Sequence, residues 1–404
     1  MKKIFYLLIV MIIMVWLSKQ INAIAFNSTE NISNNIAVRS TIGIDINPNN
    51  GLAYYIGRNG RHFGVYNFTS NGSINLSSVI TWWPLSVTGR TIKFIEPDLI
   101  LIGGDNPTFG MYNESSNSSI DLSSYTSGVT IYTIAYNTNK KIVYIAGENN
   151  FRSFNISNNQ TIDISPTLKV TGVIPFVIQS LAYDSSSDML FIGGDNDTNP
   201  KLWIYNYTSN LTTDLSSLFS FSKNIFLSAS AIMGITFNTN NRLLYMIIQQ
   251  EGGNNLELWS YNLSANTTMN LSSQLFGKIS TTDSNTMTFD SDKNRIYFGY
   301  GYYDVKTNIT FNLSKTYSNN YIRDSSTGVA LAFSRLDRII YSSCSLFCLS
   351  AYKTNLVPSA INVSITELSL QIGNNAKGHC NYSDSPENDV AGGNQTYWYA
   401  NKTL

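Results

Sequence analysis

The side chains able to do chemistry in this 404-residue chain are few and scattered. There are two histidines, His62 and His379, and three cysteines, Cys344, Cys348 and Cys380. A zinc or iron centre needs several His, Cys or carboxylate ligands brought together, and two distant histidines do not provide its core. A Ser-His-Asp triad would have to use His62, and no G-x-S-x-G elbow accompanies it; His62 reads as a solvated turn residue. Asp290-Ser291-Asp292-Lys293-Asn294 resembles the opening of a calcium loop, without that loop's glycine and distal glutamate. The same turn is Asn137-Thr138-Asn139 and Asn238-Thr239-Asn240-Asn241 elsewhere, and Asx-turn chemistry accounts for all three. No catalytic set, metal site or cofactor is expected.

Four further groups invite a role. Cys344 and Cys348 flank Ser345-Leu346-Phe347, where two strands should turn back. Across a tight hairpin their Cβ atoms reach disulfide distance, and in an exported protein a bridge is expected; Cys380 is left over. Trp82-Trp83 is a candidate pair for stacking on a sugar, with burial against the neighbouring repeat as the competing reading. Asp105, Glu148 and Asp195 each follow a Gly-Gly or Ala-Gly stop. They are the candidates for a propeller enzyme of glycosidase or lactonase type, acting on a polysaccharide or small ester. Glycosidic chemistry would need two carboxylates within about 10 Å, and the equivalent placement of these three favours turn structure. Arg242, Arg295 and Arg338 all precede second strands, which is repeat grammar rather than an anion clamp.

What must position these residues is a repeated unit. Residues 181–217 contain four short apolar runs separated by Asp, Ser, Gly and Asn turns, the signature of antiparallel strands. Units of the same pattern start near residues 42, 92, 131, 181, 232, 286 and 329. Their second strands begin near Leu52, Leu99, Ile142, Leu190, Leu243, Ile296 and Ile339. A spacing of about 40–50 residues with four strands is the period of β-propeller blades. A closing Asn/Asp-Leu-Ser-Ser recurs at Asn75, Asp121, Asp214 and Asn270. The third strands carry Tyr66, Tyr112, Phe154, Tyr205, Tyr261, Tyr303 and Tyr352, read as packing between neighbouring blades. The seventh unit lacks its fourth strand, and residues 25–33 look like the end of a unit. The expected fold is therefore all-β: a seven-bladed β-propeller closed by an N-terminal strand, six or eight blades being the count if one unit is misread. Closure removes an exposed sheet edge.

Charged residues are only 13% of the chain and formal net charge is zero, so no basic footprint for nucleic acid exists. Lys2-Lys3, the apolar run Ile4 to Leu17 and Ala23-Ile24-Ala25 read as a secretory signal over residues 1–25, with an uncleaved anchor as the alternative. Asn-x-Ser/Thr triplets are frequent, Asn117 and Asn159 among them. They fall on the third and fourth strands of the units and the turn between. The sites expected to carry glycans are Asn67, Asn71, Asn113, Asn155, Asn206, Asn210, Asn262, Asn266 and Asn308.

The repeat pattern ends before Pro358, giving a propeller over residues 26–357 and a separate segment over 358–404. In that segment Gly378-His379-Cys380-Asn381-Tyr382-Ser383-Asp384 and then Tyr397-Trp398-Tyr399 resemble the first half of an immunoglobulin-like repeat of archaeal-type surface proteins, a partial Ig-like β-sandwich. There a Cys and a Trp on adjacent strands fill the core. The propeller is loosely similar to the YVTN and NHL-like propellers of prokaryotic surface-layer proteins. The resemblance implies a non-catalytic, extracellular or cell-surface module for adhesion or envelope structure. Its partner would be a surface protein or a polysaccharide, with no nucleic acid. Membrane contact is expected only through an uncleaved signal or a C-terminal anchor beyond Leu404.

Overall fold

The structure, a computed structural model, describes residues 29–31, 41–57, 62–84, 87–105, 108–126, 128–168, 176–196, 199–219, 231–249, 256–274, 287–298, 301–312, 330–336, 338–344, 348–353, 359–365, 376–383 and 395–400. The expected signal, residues 1–25, and the boundary at Pro358 lie outside these. Among the described residues no helix is long and apolar enough to cross a membrane.

Six four-stranded antiparallel sheets are each built from consecutive strands and form propeller blades. They are blade 1 (41–75), blade 2 (89–121), blade 3 (131–163), blade 4 (177–214), blade 5 (231–270) and blade 6 (287–312). A further four-stranded sheet, the closing sheet, takes three strands from 331–353 and its outermost from Thr29–Asn31. Thr29, Glu30 and Asn31 pair antiparallel with Tyr352, Ala351 and Ser350. The first strands of successive sheets neighbour one another from blade 1 to blade 6, then to the closing sheet and back to blade 1.

The burial pattern explains the sequence pattern. Second strands are packed on both faces, so Ile142–Gly147 is buried at every position and reads as an apolar run rather than an alternation. Fourth strands form the rim, and Gln160–Asp163 is exposed at three of its four positions. The core lies between blades. Tyr205 of blade 4 packs edge-on to Tyr144 and Phe151 of blade 3, with ring centroids 6.0 and 5.6 Å away. Phe154 meets Phe109 of blade 2, and Tyr112 meets Phe63 of blade 1, in the same way. The third-strand aromatics from Tyr66 to Tyr303 are thus buried packing groups.

The recurring Asn/Asp-Leu-Ser-Ser is a clamp. Asp214 Oδ1 accepts the Ser216 N–H at 2.8 Å, and Ser216 Oγ accepts the N–H of Leu202 at 3.0 Å. Leu215 between them is buried. The hydroxyl thereby ties the end of the fourth strand to the start of the third, and Asn75, Asp121, Asp163 and Asn270 repeat the turn. The glycine stop of the second strand also has a cause. The first strands of blades 1 to 5 carry a register shift, between Ile178 and Ser180 in blade 4. This brings Val177 O within 1.9 Å of where a Cβ on Gly194 would sit.

Beyond the propeller, Ser359–Ile365, Ala376–Ser383 and Gln395–Ala400 form a three-stranded antiparallel sheet. Its register sets Cys380 opposite Val363 and Thr396, and Trp398 opposite Gly378.

Candidate functional site

The first strands enclose a central cavity of about 470 Å³. Each four-stranded sheet contributes to its wall, because every first strand presents its middle residues to the axis. Strand register makes Asp45, Lys93, Ala135, Ala182, Thr236, Thr288 and Ala332 equivalent. Five of these are small or carry one hydroxyl; only Asp45 and Lys93, on adjacent blades, are charged. Lys93 Nζ lies 3.0 Å from Asp45 Oδ2, and the same oxygen accepts the N–H of Phe94 at 2.8 Å. Asp45 is the one carboxylate on the cavity wall among the described residues, and it is engaged by a cation and a backbone donor. The wall offers a ligand one ion pair, two threonine hydroxyls and apolar surface; its described residues include no second carboxylate of the kind glycosidic hydrolysis uses.

A second polar constellation runs around one end, where first strands turn into second. The residue that ends the first strand, or in blade 1 directly follows it, is Asn47, Asn137, Asp184, Asn238 or Asp290, all buried. Each side-chain oxygen accepts backbone N–H groups of its own turn, as Asp290 Oδ1 does from Asp292 and Lys293 at 3.0 and 3.2 Å. Each also reaches the next sheet, where it meets the residue four positions after the equivalent turn starts. Asn137 Nδ2 donates to Asp188 Oδ1 at 3.0 Å, and Asn238 Nδ2 to Asn294 Oδ1 at 2.7 Å. Asp184 accepts from Arg242 at 3.4 Å, and Asp290 is held by Arg338 at 3.0 and 2.5 Å. These partners all have left-handed backbone, φ 56 to 59°. The turn in blade 2 is shorter, with three residues between Ile95 and Leu99, and has no such residue. There Glu114, from the turn after the third strand, takes the role and receives Asn47 at 2.7 Å and Asn50 at 2.8 Å.

The electrostatics follow. Burial alone would raise the Asp184 carboxyl, but hydrogen bonds from Ser187 and Ser186 and the Arg242 guanidinium hold it below the usual carboxylate value. Asp188 is likewise lowered: burial opposes, and Lys140, Tyr183 and Thr208 prevail. Burial pushes the Tyr205 hydroxyl up to about 12, helped by Tyr207 and Asp188, and it raises Tyr54, Tyr144 and Tyr183 further.

The expected site residues separate accordingly. Trp83 has no exposed surface and donates its indole N–H to Val87 O at 3.1 Å. Trp82 is half-buried, donates to Ser119 Oγ at 3.1 Å, and covers Gly110 of blade 2. The pair packs at the seam between blades 1 and 2, Trp83 wholly and Trp82 in part. Arg295 also departs from expectation. It is not equivalent to Arg242 and Arg338 but one residue later, inside a second strand, fully buried, paired with Asp304 at 3.3 Å and lying 4.4 Å over the Tyr302 ring. Asp105 and Glu148 directly follow second strands and Asp195 ends one, in three different blades, and none lines the cavity. Asp105 is paired with Arg90 at 2.8 Å. Among the described residues no three His, Cys, Asp or Glu side chains form a metal-holding group. The calcium-like run is spent on turn N–H groups and Arg338. His62 is half-buried beside the second-to-third-strand turn, its carbonyl accepting from Gly57 at 2.8 Å. Cys344 and Cys348 are direct cross-strand partners.

The sequon asparagines occupy two sets of positions. Asn67, Asn113, Asn155, Asn206 and Asn262 end third strands and are half-buried. Their Oδ1 atoms accept turn N–H groups, as Asn206 does from Ser209 at 3.0 Å. Asn71, Asn210, Asn266 and Asn308 sit at the left-handed position of the following turn, with φ 50 to 60°. Each accepts a hydrogen bond from the third-strand tyrosine, at 2.9 Å for Tyr205 and Asn210. The inter-blade clasp was invisible to motif reading; its signal was the four-residue offset between Asx and the residue before each second strand.

No protein-family model matches the chain, and no curated protein does. Solved structures do. Two are of the extracellular domain of BT4673 from B. thetaiotaomicron, described as a one component system and as a hybrid two component system. They share 11% identity with this chain at a TM-score of 0.60, and the match covers 92% and 93% of it. A third, from a structure of the Mitotic Checkpoint Complex, has 12% identity and a TM-score of 0.50 over 82% of this chain and 93% of that one. The chain spans about half, 47%, of the BT4673 domain. At these identities the likeness shows the fold alone: an all-β propeller.

Proposed function

We propose that this chain is a non-catalytic extracellular module, a cell-surface propeller that binds a surface protein or polysaccharide or helps to build the envelope. The observation that carries the non-catalytic part is the cavity wall, where the single carboxylate among the described residues is already engaged by Lys93 and Phe94. The closing sheet, set beside the six continuous ones, supports a reading of the ring as seven-bladed. The Lys2-Lys3 and apolar N-terminus supports export, and the BT4673 structures that share the fold are themselves extracellular domains. The cysteine, tryptophan and strand order of residues 359–400 support an Ig-like reading of that segment, of the archaeal surface-protein type. The register of Cys344 and Cys348 supports a disulfide; alkylation with and without reductant, read by mass, tests it.

The partner belongs at the end of the propeller where the chain varies. Turns after third strands are four residues in each of the six continuous blades, whereas the connections between blades run from residues 122–130 to residues 313–330. Variation of connection length on a constant frame is where recognition is built.

The test is pull-down of envelope protein and polysaccharide fractions with the full chain, beside hydrolysis assays on glycosides and lactones. Capture without turnover is expected. Turnover abolished by Asp45→Asn would overturn the reading in favour of an enzyme.

A further inference from the structure

We propose that the asparagines at the left-handed position of the six four-residue turns, Asn71, Asn117, Asn159, Asn210, Asn266 and Asn308, form a ring of N-glycan acceptors around one end of the propeller; this rests on the extracellular reading. All six have φ between 48 and 60°, all stand in Asn-x-Ser/Thr, and all but Asn71 are exposed.

Packing explains part of the triplet. In most blades the asparagine oxygen accepts a tyrosine hydroxyl. The Ser or Thr two residues on can tie the fourth strand to the preceding connection: Ser119 Oγ donates to Val79 O at 2.7 Å, and Thr268 Oγ1 to Leu218 O at 3.2 Å. Blade 3 removes both reasons. Its third-strand aromatic is Phe154, which has no hydroxyl to give Asn159. Thr161 Oγ1 is buried with no hydrogen-bond partner. A valine of the same shape would fill that place without an unsatisfied hydroxyl, yet the triplet Asn159-Gln160-Thr161 is intact. Thr310 in blade 6 is buried and unpartnered in the same way. Left-handed geometry does not demand asparagine either, since Lys141, Asp188, Arg242 and Arg338 adopt it in this chain. What both unexplained residues share is the hydroxyl-plus-amide pattern that an oligosaccharyltransferase reads.

The strand-end asparagines differ. Their work is to accept turn N–H groups, and Asp304 does it equally in blade 6, at 3.0 and 2.9 Å. The surroundings of the ring also suit a glycan. Three residues after the asparagine, the fourth strand exposes Ile74, Ile120, Ile162 or Met269, 53 to 63% accessible. Apolar side chains on unpaired outer strands invite edge association, and a sugar anchored about 10 Å away would cover them.

The reaction joins Asn Nδ2 to the anomeric carbon of an oligosaccharide carried on a polyprenyl phosphate. The C–N bond forms as the C–O bond to phosphate breaks, the lipid phosphate leaves with the electron pair, and one amide proton passes to a base of the transferase.

The test is peptide mass spectrometry of the full chain, sent through an N-glycosylating secretory pathway behind a foreign secretion signal, as wild type, Thr161→Val and Thr161→Ser. A glycan on the Asn159 peptide is expected in wild type and Thr161→Ser and absent in Thr161→Val, with the thermal midpoint of Thr161→Val no lower than wild type. An unmodified Asn159 peptide in the secreted wild type, or equal occupancy at Asn155 and Asn159, would overturn the proposal. A parallel chain with only its own N-terminus reports on export alone, so the two readings fail separately.

Discussion

Arg338 of the closing sheet grips Asp290 of blade 6 with both guanidinium nitrogens, at 3.0 and 2.5 Å, and both side chains are almost fully buried. The pair crosses the seam next to the sheet that the N-terminal strand completes. Removing one partner of a buried, bidentate pair leaves an uncompensated charge, a loss of about 3–5 kcal/mol. Arg338→Met is therefore expected to lower the denaturant midpoint sharply, and the double variant with Asp290→Leu to recover much of the loss. A single variant as stable as wild type would mean the seam is held by other contacts.

Carboxylates of the inter-blade clasp and of the Asp-Leu-Ser-Ser clamp set the acid limit. Asp184, Asp188 and Asp214 are all held below the unfolded carboxylate value. A group whose folded value is depressed stabilises the fold above its unfolded value, about 3.9 for Asp, and that contribution is lost as pH falls through the folded value. The thermal midpoint is expected to hold down to about pH 4 and fall below it, less steeply in Asp184→Asn because that variant has already lost the contribution. A flat profile in wild type would contradict the assignment.

Tyrosines mark the alkaline side. Tyr205 is raised to about 12 by burial, then by Tyr207 and Asp188, and Tyr54, Tyr144 and Tyr183 are raised beyond that. Raised folded values mean stability that is fully present below the unfolded value, about 10, and lost as pH rises. Tyrosinate absorbance is expected to rise in two stages. Exposed rings ionise first, and a buried set follows only on unfolding, so denaturant should merge the two.

Gly194 faces Val177 O, and an added methyl would fall 1.9 Å from it, against 3.5 Å to the nearest atom for Gly72. Overpacking against backbone costs about 1–3 kcal/mol. Gly194→Ala should melt clearly below wild type and Gly72→Ala close to it, as calorimetry would report.

Much of the fold was legible because the repeat states it several times over. Second strands expected at Leu99, Ile142, Leu243 and Ile339 begin at those residues, and the N-terminal segment placed beside the last unit pairs there. Each blade presents the same two packing faces, so its apolar pattern recurs and random variation averages out. The site was less legible. The Trp82-Trp83 pair carries the same letters whether exposed or buried; only the closeness of Gly110 and Ser119 from the next blade decided that it is seam.

Arg295 illustrates the remaining gap. Aligned by eye with Arg242 and Arg338 it looks like a third copy, but strand register shifts it by one and turns it to the opposite side of the pleat, toward Asp304 and Tyr302.

The sequence alone determined the strand content, the repeat and its closure, because burial periodicity and turn chemistry are local and are written into each unit. Only the tertiary structure decided which polar side chains meet. Asp45 and Lys93 lie 48 positions apart in chain and touch, and so do Asp290 and Arg338. Such pairs arise from the ring that sets equivalent residues of successive blades side by side, and no local pattern encodes that adjacency.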